Sequence, residues 1–337
     1  MGPSSTRRGA RLLFLLTGGT LMMQRRGEGP LAVGGARDLA AEVPALARLA
    51  EIELAEVLAL DSGDMQPRHW VTLAERVHAA LADDACDGVV VVHGTDTMAY
   101  TASALALMLG PVPKPVVLTG AQRPLEELRT DARANLEAAA VIATLPVPEV
   151  VIAFGSRGYR GVRATKKDAW AYDAFDSPSV SPLVELGVGV TVARHVRAPG
   201  ALAAFDRRLE PHVLAVRVFP GLDPALVRGA IRAGVKGLVL EAYGTGNLPH
   251  AHGDLGVALE EARARDVPVL VVSQCLRGRV ELGHYGGGAA AERAGAIAAG
   301  DMTPEAALVK MMIGLGRFGP GPELRAFLER DLVGERS

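Results

Sequence analysis

The residues with the clearest chemical potential follow a run of four valines. Val89–Val92 is typical of a strand buried on both faces, and the chain then changes abruptly to His93–Gly94–Thr95–Asp96–Thr97. In open α/β sheets, ligands bind at the carboxyl ends of the strands. A hydroxyl beside a carboxylate at this position indicates chemistry on a small polar substrate. The alternative is a strand–loop–helix joint in which Thr95 or Asp96 caps the following helix.

Polar residues follow other short apolar runs in the same way. Two glycines in Thr17–Gly18–Gly19–Thr20 permit a sharp turn, a close approach to a ligand and two hydroxyls at one strand end. This segment lacks the Gly-Lys-Ser/Thr ending of a phosphate-binding loop and the wider glycine pattern of dinucleotide sites. The polar strand ends begin at Thr17, Asp61, His93 and Gly120. Their repetition predicts one functional edge on a doubly wound sheet.

Helical patterns separate these strands and complete the fold prediction. Apolar spacing predicts helices over Leu39–Leu49, Pro67–Leu81, Ala99–Leu109, Asp131–Ala143, Pro224–Ala233, Leu255–Arg265, Thr303–Leu315 and Pro322–Leu332. We expect an α/β protein with a doubly wound, mostly parallel sheet in an N-terminal catalytic domain, residues 1–192, and a smaller α/β C-terminal domain, residues 213–337. Prolines place the linker at residues 193–212, and Met22–Gly35 is predicted to be a mobile flap.

The composition fits a chain with two cores and argues against several classes of protein. Lys and Arg number 36 against 38 for Asp and Glu, and aromatic residues are 4%, which argues against nucleic-acid binding. The apolar runs are too short to cross a bilayer, and Leu12–Leu16 is too short for a signal peptide. Cys86 and Cys275 make no disulfide framework and are predicted to be small core residues. We expect a cytoplasmic protein that binds neither nucleic acid nor membrane.

Taken together and in order, these motifs resemble those of the bacterial-type L-asparaginases, which are threonine amidohydrolases. The resemblance spans nearly the whole chain. Beyond the strand ends it includes Asp61–Met65, Ala164–Lys166, Phe175–Pro178, Tyr243–Asn247 and Ser273–Gly278. The segment Gly300–Thr303 extends it towards the cytosolic type I branch.

The resemblance implies hydrolysis of L-asparagine to L-aspartate and ammonia without a metal or cofactor. Thr20 matches the family's nucleophile, and Thr95, Asp96 and Lys166 match its second catalytic group. The residues predicted to bind substrate are Asp61, Ser62, Asp96, Ala121 and Asn247. Family members form dimers or tetramers with each site at a subunit boundary. We therefore expect a homo-oligomer in which Asn247 reaches a neighbouring subunit.

Amide hydrolysis makes demands that the matched residues can meet. An amide carbon is a poor electrophile and a free hydroxyl is a poor nucleophile, so the site needs an activated oxygen, a proton shuttle and oxyanion donors. Two hydroxyls and a lysine form a Thr–Lys relay, a variant of the acyl-transfer triad. The lysine acts as a base only when it is partly neutral, which a cationic neighbour such as Lys167 favours and pairing with Asp96 opposes. Backbone N–H groups near Thr20 and Thr95 are candidate oxyanion donors.

Several candidates also have a purely structural interpretation. These are Thr20 and Asp61 as turn residues, Ser62 as a helix cap, and Asn247 as a turn or C-cap residue. Lys167 is the alternative to Lys166 as the lysine of the relay, and the match to the family's Thr–Lys pair favours Lys166. His93 is expected to form local hydrogen bonds behind the site.

Two positions depart from the family's pattern. Family members usually carry a flap tyrosine that is hydrogen-bonded to the nucleophile. No tyrosine lies between Met22 and Gly35, and Pro30 lies at about the position where this tyrosine is expected. Water or another hydroxyl must then assist Thr20, or turnover is low. Some type I enzymes bind asparagine at a second, allosteric site through an arginine. In this chain the corresponding residue is Glu241. A carboxylate repels the effector's carboxylate, so we expect this control to be absent or altered.

Other functions stay open. One is a glutaminase or glutaminase-asparaginase. A second is ammonia supply to a tRNA-dependent amidotransferase, which would need a partner chain and an N-terminal module for which we expect no room before Leu12. A third is a low-turnover amino-acid sensor, made conceivable by the missing tyrosine. The presence of Thr20, Thr95, Asp96 and Lys166 together counts against the sensor.

Overall fold

The computed structural model describes residues 9–25, 31–33, 39–251 and 254–337. In chain order its strands are β1 (Arg11–Gly18), β2 (Met23–Arg25), β3 (Leu31–Val33), β4 (Glu51–Leu60), β5 (Gly88–Val92), β6 (Val116–Thr119), β7 (Val150–Phe154), β8 (Arg157–Arg160), β9 (Thr165–Lys166), β10 (Phe175–Asp176), β11 (Val184–Leu186), β12 (Val190–Val192), β13 (Val213–Arg217), β14 (Gly237–Ala242), β15 (Val269–Ser273) and β16 (Ile297–Ala298).

The helices lie between these strands. The α-helices are α1 (Leu39–Glu42), α2 (Ala45–Leu49), α3 (Pro67–Ala82), α4 (Met98–Leu109), α5 (Ala132–Ala143), α6 (Pro224–Arg232), α7 (Gly256–Ala264), α8 (Gly286–Arg293), α9 (Pro304–Phe318) and α10 (Pro322–Glu329). Short 3₁₀-helices are formed by Thr20–Met22, Ser62–Asp64, Gly161–Arg163 and Leu282–His284.

The larger sheet has eight strands in the order β12-β11-β8-β7-β6-β5-β1-β4. The five neighbouring strands β7, β6, β5, β1 and β4 are parallel to one another. Strands β8, β11 and β12 form an antiparallel edge. Crossover helices connect the parallel strands, as this topology requires. The predicted α/β fold with a mostly parallel sheet is confirmed.

Alternating side chains of β1 show how the sheet is covered on both faces. Leu13 and Leu15 lie in one apolar cluster with residues of α3 and α4. Leu12, Phe14 and Leu16 lie in a second cluster with residues of α2 and α5. Because neighbouring strand residues point to opposite faces, this division shows helices packed on both sides of the sheet.

The smaller sheet is fully parallel, in the order β13-β14-β15-β16. One of its faces packs on α6 and α7. Its other face packs on α9, and the cluster there continues through α4 into the larger sheet. Residues 193–212, all of them described, contain neither helix nor strand. The predicted domain boundaries stay a prediction, since one apolar cluster runs across both sheets.

Some local predictions differ from the structure. The helix predicted over Leu39–Leu49 is two short helices, because the chain turns at Val43 and Pro44. Cys86 is buried as predicted, but Cys275 is exposed, so its assignment to the core was wrong. No described helix is both long and apolar enough to span a bilayer.

The predicted flap, Met22–Gly35, contains regular structure. Strands β2 and β3 form an antiparallel pair with Met23 opposite Val33. Residues 26–30 and 34–38, and with them Pro30, lie outside the described residues. The mobility of the flap stays a prediction.

Candidate active site

The loops that carry the two predicted catalytic threonines are in contact. Strands β1 and β5 are paired neighbours in the sheet, so Thr20 and Thr95 follow adjacent strand ends. The chain at Gly19 approaches Gly94 so closely that a Cβ added at Gly19 would lie 2.3 Å from the Gly94 nitrogen. A side chain at either position would separate the loops. The glycines therefore allow the residues that follow them to share one site.

Ser62 joins the same cluster from the end of β4. A Cβ added at Gly94 would lie 2.5 Å from Ser62 Oγ. Thr97 Oγ1 donates a hydrogen bond of 2.8 Å to the backbone oxygen of Ser62, which is buried. Asp61 is exposed, and its Oδ1 accepts from Gly63 N at 2.9 Å, so it caps the short 3₁₀-helix that follows. The substrate-binding roles of Asp61 and Ser62 stay predictions.

Thr95 and Lys166 are joined by a direct hydrogen bond. Lys166 Nζ donates to Thr95 Oγ1 at 2.8 Å and to Asp96 Oδ1 at 2.7 Å. Thr95 is buried at 5% exposure, and the side chains of Lys166 and Asp96 are 19% and 67% exposed. A shielded hydroxyl thus contacts the lysine amine, and the carboxylate beside it faces solvent. This arrangement can move a proton between Thr95 and Lys166.

The neighbouring Lys167 has a different partner. Its Nζ lies 3.0 Å from Asp173 Oδ2, and this hydrogen bond raises the pKa of Lys167. Of the two adjacent lysines, Lys166 is the one whose amine reaches the Thr95 hydroxyl. The cationic neighbour Lys167 is thus itself paired with the carboxylate of Asp173.

Thr20 begins the 3₁₀-helix that follows β1. Gly19 has a φ of 77°, a value that glycine adopts without strain, and this sharp turn ends the strand. Leu21 and Met22 are buried and anchor the turn, and Thr20 is half-buried. Its neighbours therefore fix the Thr20 backbone and leave its side chain partly accessible.

The loop after β6 contributes an amide that the sequence prediction did not assign to the site. Thr95 Oγ1 donates to Gln122 Oε1 at 3.3 Å, and Gln122 Nε2 donates to the backbone oxygen of Ala171 at 3.1 Å. Asp131 accepts hydrogen bonds from the backbone of Gln122 and holds this loop. The side chain of Ala121, a predicted substrate-binding residue, is fully buried. Its substrate-binding role stays a prediction.

Asn247 lies apart from this cluster within its own chain. It follows β14 in the smaller sheet and forms an isolated bridge with Tyr243. Its Oδ1 is buried and has no hydrogen-bond partner among the described residues. A Cβ added at Gly287 would lie 2.8 Å from this oxygen. The reach of Asn247 into a neighbouring subunit stays a prediction.

His93 lies behind the site, as predicted. It is fully buried; Nδ1 lies 2.7 Å from the backbone oxygen of Gly94 and Nε2 lies 3.0 Å from Thr101 Oγ1. Since a carbonyl oxygen can only accept, Nδ1 carries a proton. Burial lowers the pKa of His93 to about 4, so the ring is neutral near pH 7. Its hydrogen bonds hold the strand end in place.

Glu241 lies in a cleft between the smaller sheet and the segment that carries Lys166. The cleft is also lined by Thr165, Ser273, Cys275 and Glu305. Glu241 Oε2 accepts a hydrogen bond of 3.1 Å from Arg217. The carboxylate is therefore paired. The absence of allosteric control stays a prediction.

No group of three or more His, Cys, Asp and Glu side chains within the described ranges could hold a metal ion. The polar groups of the cluster are hydroxyls, one amine, one amide and carboxylates. Groups of these types can bind the amide and the charged ends of a small polar ligand.

Most of the chain is similar to known proteins. Residues 11–198 match the family model "Asparaginase, N-terminal", and residues 212–328 match "Glutaminase/Asparaginase C-terminal domain". The chain is 40% identical to L-asparaginase 1 of Escherichia coli K12, over 95% of this chain and 96% of that one.

Two solved structures are also similar. The thermostable L-asparaginase from Thermococcus kodakarensis has a TM-score of 0.89 at 38% identity, with 97% of this chain and 99% of that chain covered. L-asparaginase I from Vibrio cholerae has a TM-score of 0.86 at 33% identity, with the same coverage.

Proposed function

The chain belongs to the asparaginase family and is an amidohydrolase acting on asparagine, and we propose that it does so with Thr20 as the nucleophile. The products are L-aspartate and ammonia. The observation that carries the proposal is the hydrogen bond from Lys166 to Thr95, in a loop packed against the one that holds Thr20. The Lys166–Thr95 pair supplies the proton shuttle that amide hydrolysis requires. The Thr20 hydroxyl is the group that this shuttle activates.

In the proposed first step, the Thr20 oxygen attacks the side-chain amide carbon of asparagine. Its proton passes through Thr95 and Lys166 to the leaving nitrogen, so that the C–N bond breaks as ammonia departs. Backbone N–H groups in the glycine turns before Thr20 and Thr95 stabilise the oxyanion. Water then attacks the resulting ester, and Thr20 recovers its proton as aspartate leaves.

Three polar side chains are proposed to hold the substrate. Asp61 and Asp96 are exposed carboxylates that follow β4 and β5, the strands on either side of β1, and suit the substrate's amino group. Ser62 and the backbone at Ala121 suit the polar atoms at its other end. Asp96 has two roles here, since it also accepts a hydrogen bond from Lys166.

We also propose a cytoplasmic homo-oligomer, either dimer or tetramer. The likeness to the cytosolic type I branch supports the location. The oligomer is supported by the resemblance to a family whose members form dimers or tetramers. Light scattering of the purified protein at several concentrations measures its mass; a monomer throughout contradicts the proposal.

A second candidate function is a glutaminase or a low-turnover sensor. The flap sequence favours weak turnover, since no tyrosine lies between Met22 and Gly35. Ammonia release from asparagine and from glutamine separates the candidates, with calorimetric binding measured in parallel. We expect faster release from asparagine. Binding of either amino acid without release supports the sensor and contradicts the hydrolase.

A further inference from the structure

The segment that carries the catalytic lysine is held by the C-terminal half of the chain. We call residues 163–166 the lysine segment. The Arg163 side chain is 3% exposed and lies 2.9 Å from Asp301 Oδ2. Its Nε donates to the backbone oxygen of Gly334 at 2.6 Å. Two residues further on, Thr165 Oγ1 donates to Glu305 Oε1 at 2.6 Å.

Glu305, which accepts the hydrogen bond from Thr165, has a well-defined place in the fold. It lies in the first turn of α9, whose N-cap Thr303 accepts a hydrogen bond from Ala306 N. Helix α9 is packed between the two sheets, so the Glu305 backbone is fixed. Its Oε2 is buried without a hydrogen-bond partner among the described residues, and burial raises the pKa of Glu305. Burial of a carboxyl group with one oxygen unpaired costs free energy. A contact with a purely structural role could avoid this cost.

The lysine segment has little other support at the lysine itself. Strand β9 consists of Thr165 and Lys166 and pairs with a single short strand, β10. Adjacent residues of a strand point to opposite faces. Thr165 therefore points towards α9 and Lys166 towards Thr95, as their hydrogen bonds show. A tether on Thr165 fixes where the lysine side chain leaves the strand.

We propose that Glu305 is a positioning residue for the reaction, because its hydrogen bond from Thr165 directs Lys166 onto Thr95. This inference rests on the proposed role of Lys166. It gives the C-terminal domain a part in catalysis within its own chain. Glu305 touches neither the substrate nor the reacting atoms, and it acts through the strand backbone.

The test compares variants of Thr165 that keep or remove the donor. Thr165→Val removes the hydroxyl and keeps the shape, whereas Thr165→Ser keeps a hydroxyl. We expect Thr165→Val to lower kcat about tenfold to 100-fold with little change in KM, because a small displacement of a catalytic group has a large effect on rate. Thr165→Ser should retain most of the activity. Glu305→Leu, which removes the acceptor, should reproduce the effect of Thr165→Val.

A matched control breaks another tie to the C-terminal half. Arg197 Nη1 lies 2.9 Å from Asp331 Oδ2, a contact in which no residue of the lysine segment takes part. Arg197→Gln should leave kcat unchanged. The double variant Thr165→Val/Glu305→Leu should be no slower than either single variant, since both remove one interaction. The inference is overturned if Thr165→Ser or Arg197→Gln lowers kcat as much as Thr165→Val does. It is also overturned if kcat is unchanged in both Thr165→Val and Glu305→Leu.

A crystal structure of Thr165→Val supplies a readout that does not depend on turnover. The expected result is an Lys166 Nζ displaced from Thr95 Oγ1. An unchanged Lys166–Thr95 contact in that variant overturns the positioning role, even if the protein is active. Absence of ammonia release in the parent protein would instead contradict the proposed function, and the crystal structure still decides whether Glu305 positions the lysine.

Discussion

Polar residues follow the strands of both the larger, mostly parallel sheet and the smaller, parallel sheet, but the two sheets use these residues differently. At the edge of the larger sheet, the Lys166 amine meets the Thr95 hydroxyl, and the Asp96 side chain faces solvent. At the edge of the smaller sheet, Ser273 Oγ donates to the backbone oxygen of Gly244, and Arg217 pairs with Glu241. The first edge leaves a carboxylate open to solvent, whereas the second pairs its polar groups within its own loops and strands. A polar strand end therefore marks a candidate site, and the partners of its side chains decide whether it is one.

The largest expected difference concerns the cations at the two edges. Lys166→Met removes the amine from Thr95 and should lower kcat about 10²- to 10⁴-fold, the usual contribution of a positioned acid or base. Lys167→Met removes a neighbouring cation bound to Asp173, and Arg217→Gln removes the cation of the smaller sheet. Both should change kcat little. Steady-state ammonia release measures all three, and equal losses would abolish the distinction between the edges.

The close packing of the larger sheet's edge gives the next largest effect. Gly94→Ala places a Cβ 2.5 Å from Ser62 Oγ and 3.1 Å from the Gly19 Cα. We expect this substitution to lower the free energy of unfolding by about 3 kcal/mol, at the upper end of overpacking costs. Gly63→Ala is the matched control, since its nearest contact is 3.5 Å away. Urea unfolding compares them; equal stability of the two variants would contradict the packing.

The buried His93 should make the larger sheet's edge sensitive to acid. Burial lowers the pKa of His93 from 6.5 to about 4. Between these values the unfolded state binds more protons than the folded state, so the free energy of unfolding falls as pH is lowered. From about pH 7 to about pH 5 we expect His93 to account for a loss of about 2 kcal/mol.

The variant His93→Gln keeps a donor for Gly94 and an acceptor for Thr101, and should flatten this pH dependence. Urea unfolding of each protein at both pH values tests this. An identical pH dependence in parent and His93→Gln would show that His93 does not link stability to pH.

The smallest expected effect concerns the cleft at the smaller sheet. Because Glu241 is a carboxylate paired with Arg217, it should not attract the carboxylate of a second asparagine. The rate should rise hyperbolically with asparagine concentration. A clearly sigmoidal saturation curve would show that this edge also binds a ligand that controls activity.

Much of the fold could be predicted from local sequence patterns. The valine run of β5 and the leucine run of β1 are buried strands, as their composition indicates. The antiparallel strands β8, β11 and β12 were missed because each has four residues or fewer, too few to show a period. Helix α8 was missed because its first three residues, Gly286 to Gly288, are typical of a loop.

The candidate site was predictable where chemistry and motif coincide. Thr20, Thr95 and Lys166 lie in segments that the family resemblance identifies, and the resemblance alone favoured Lys166 over Lys167. Glu305 could not be found in this way, because its contact with Thr165 joins residues that are 140 positions apart. Contacts of this kind depend on tertiary packing and leave no periodic signal in the sequence.

Replacement of Thr20 tests most directly whether hydroxyls from two strand ends act on one amide. Thr20→Ala should reduce ammonia release from asparagine by about 10³-fold or more while calorimetry still detects asparagine binding. Thr20→Ser, which keeps a hydroxyl, should retain measurable turnover. If Thr20→Ala hydrolyses asparagine at the parent's rate, another group is the nucleophile and the account of the larger sheet's edge is wrong.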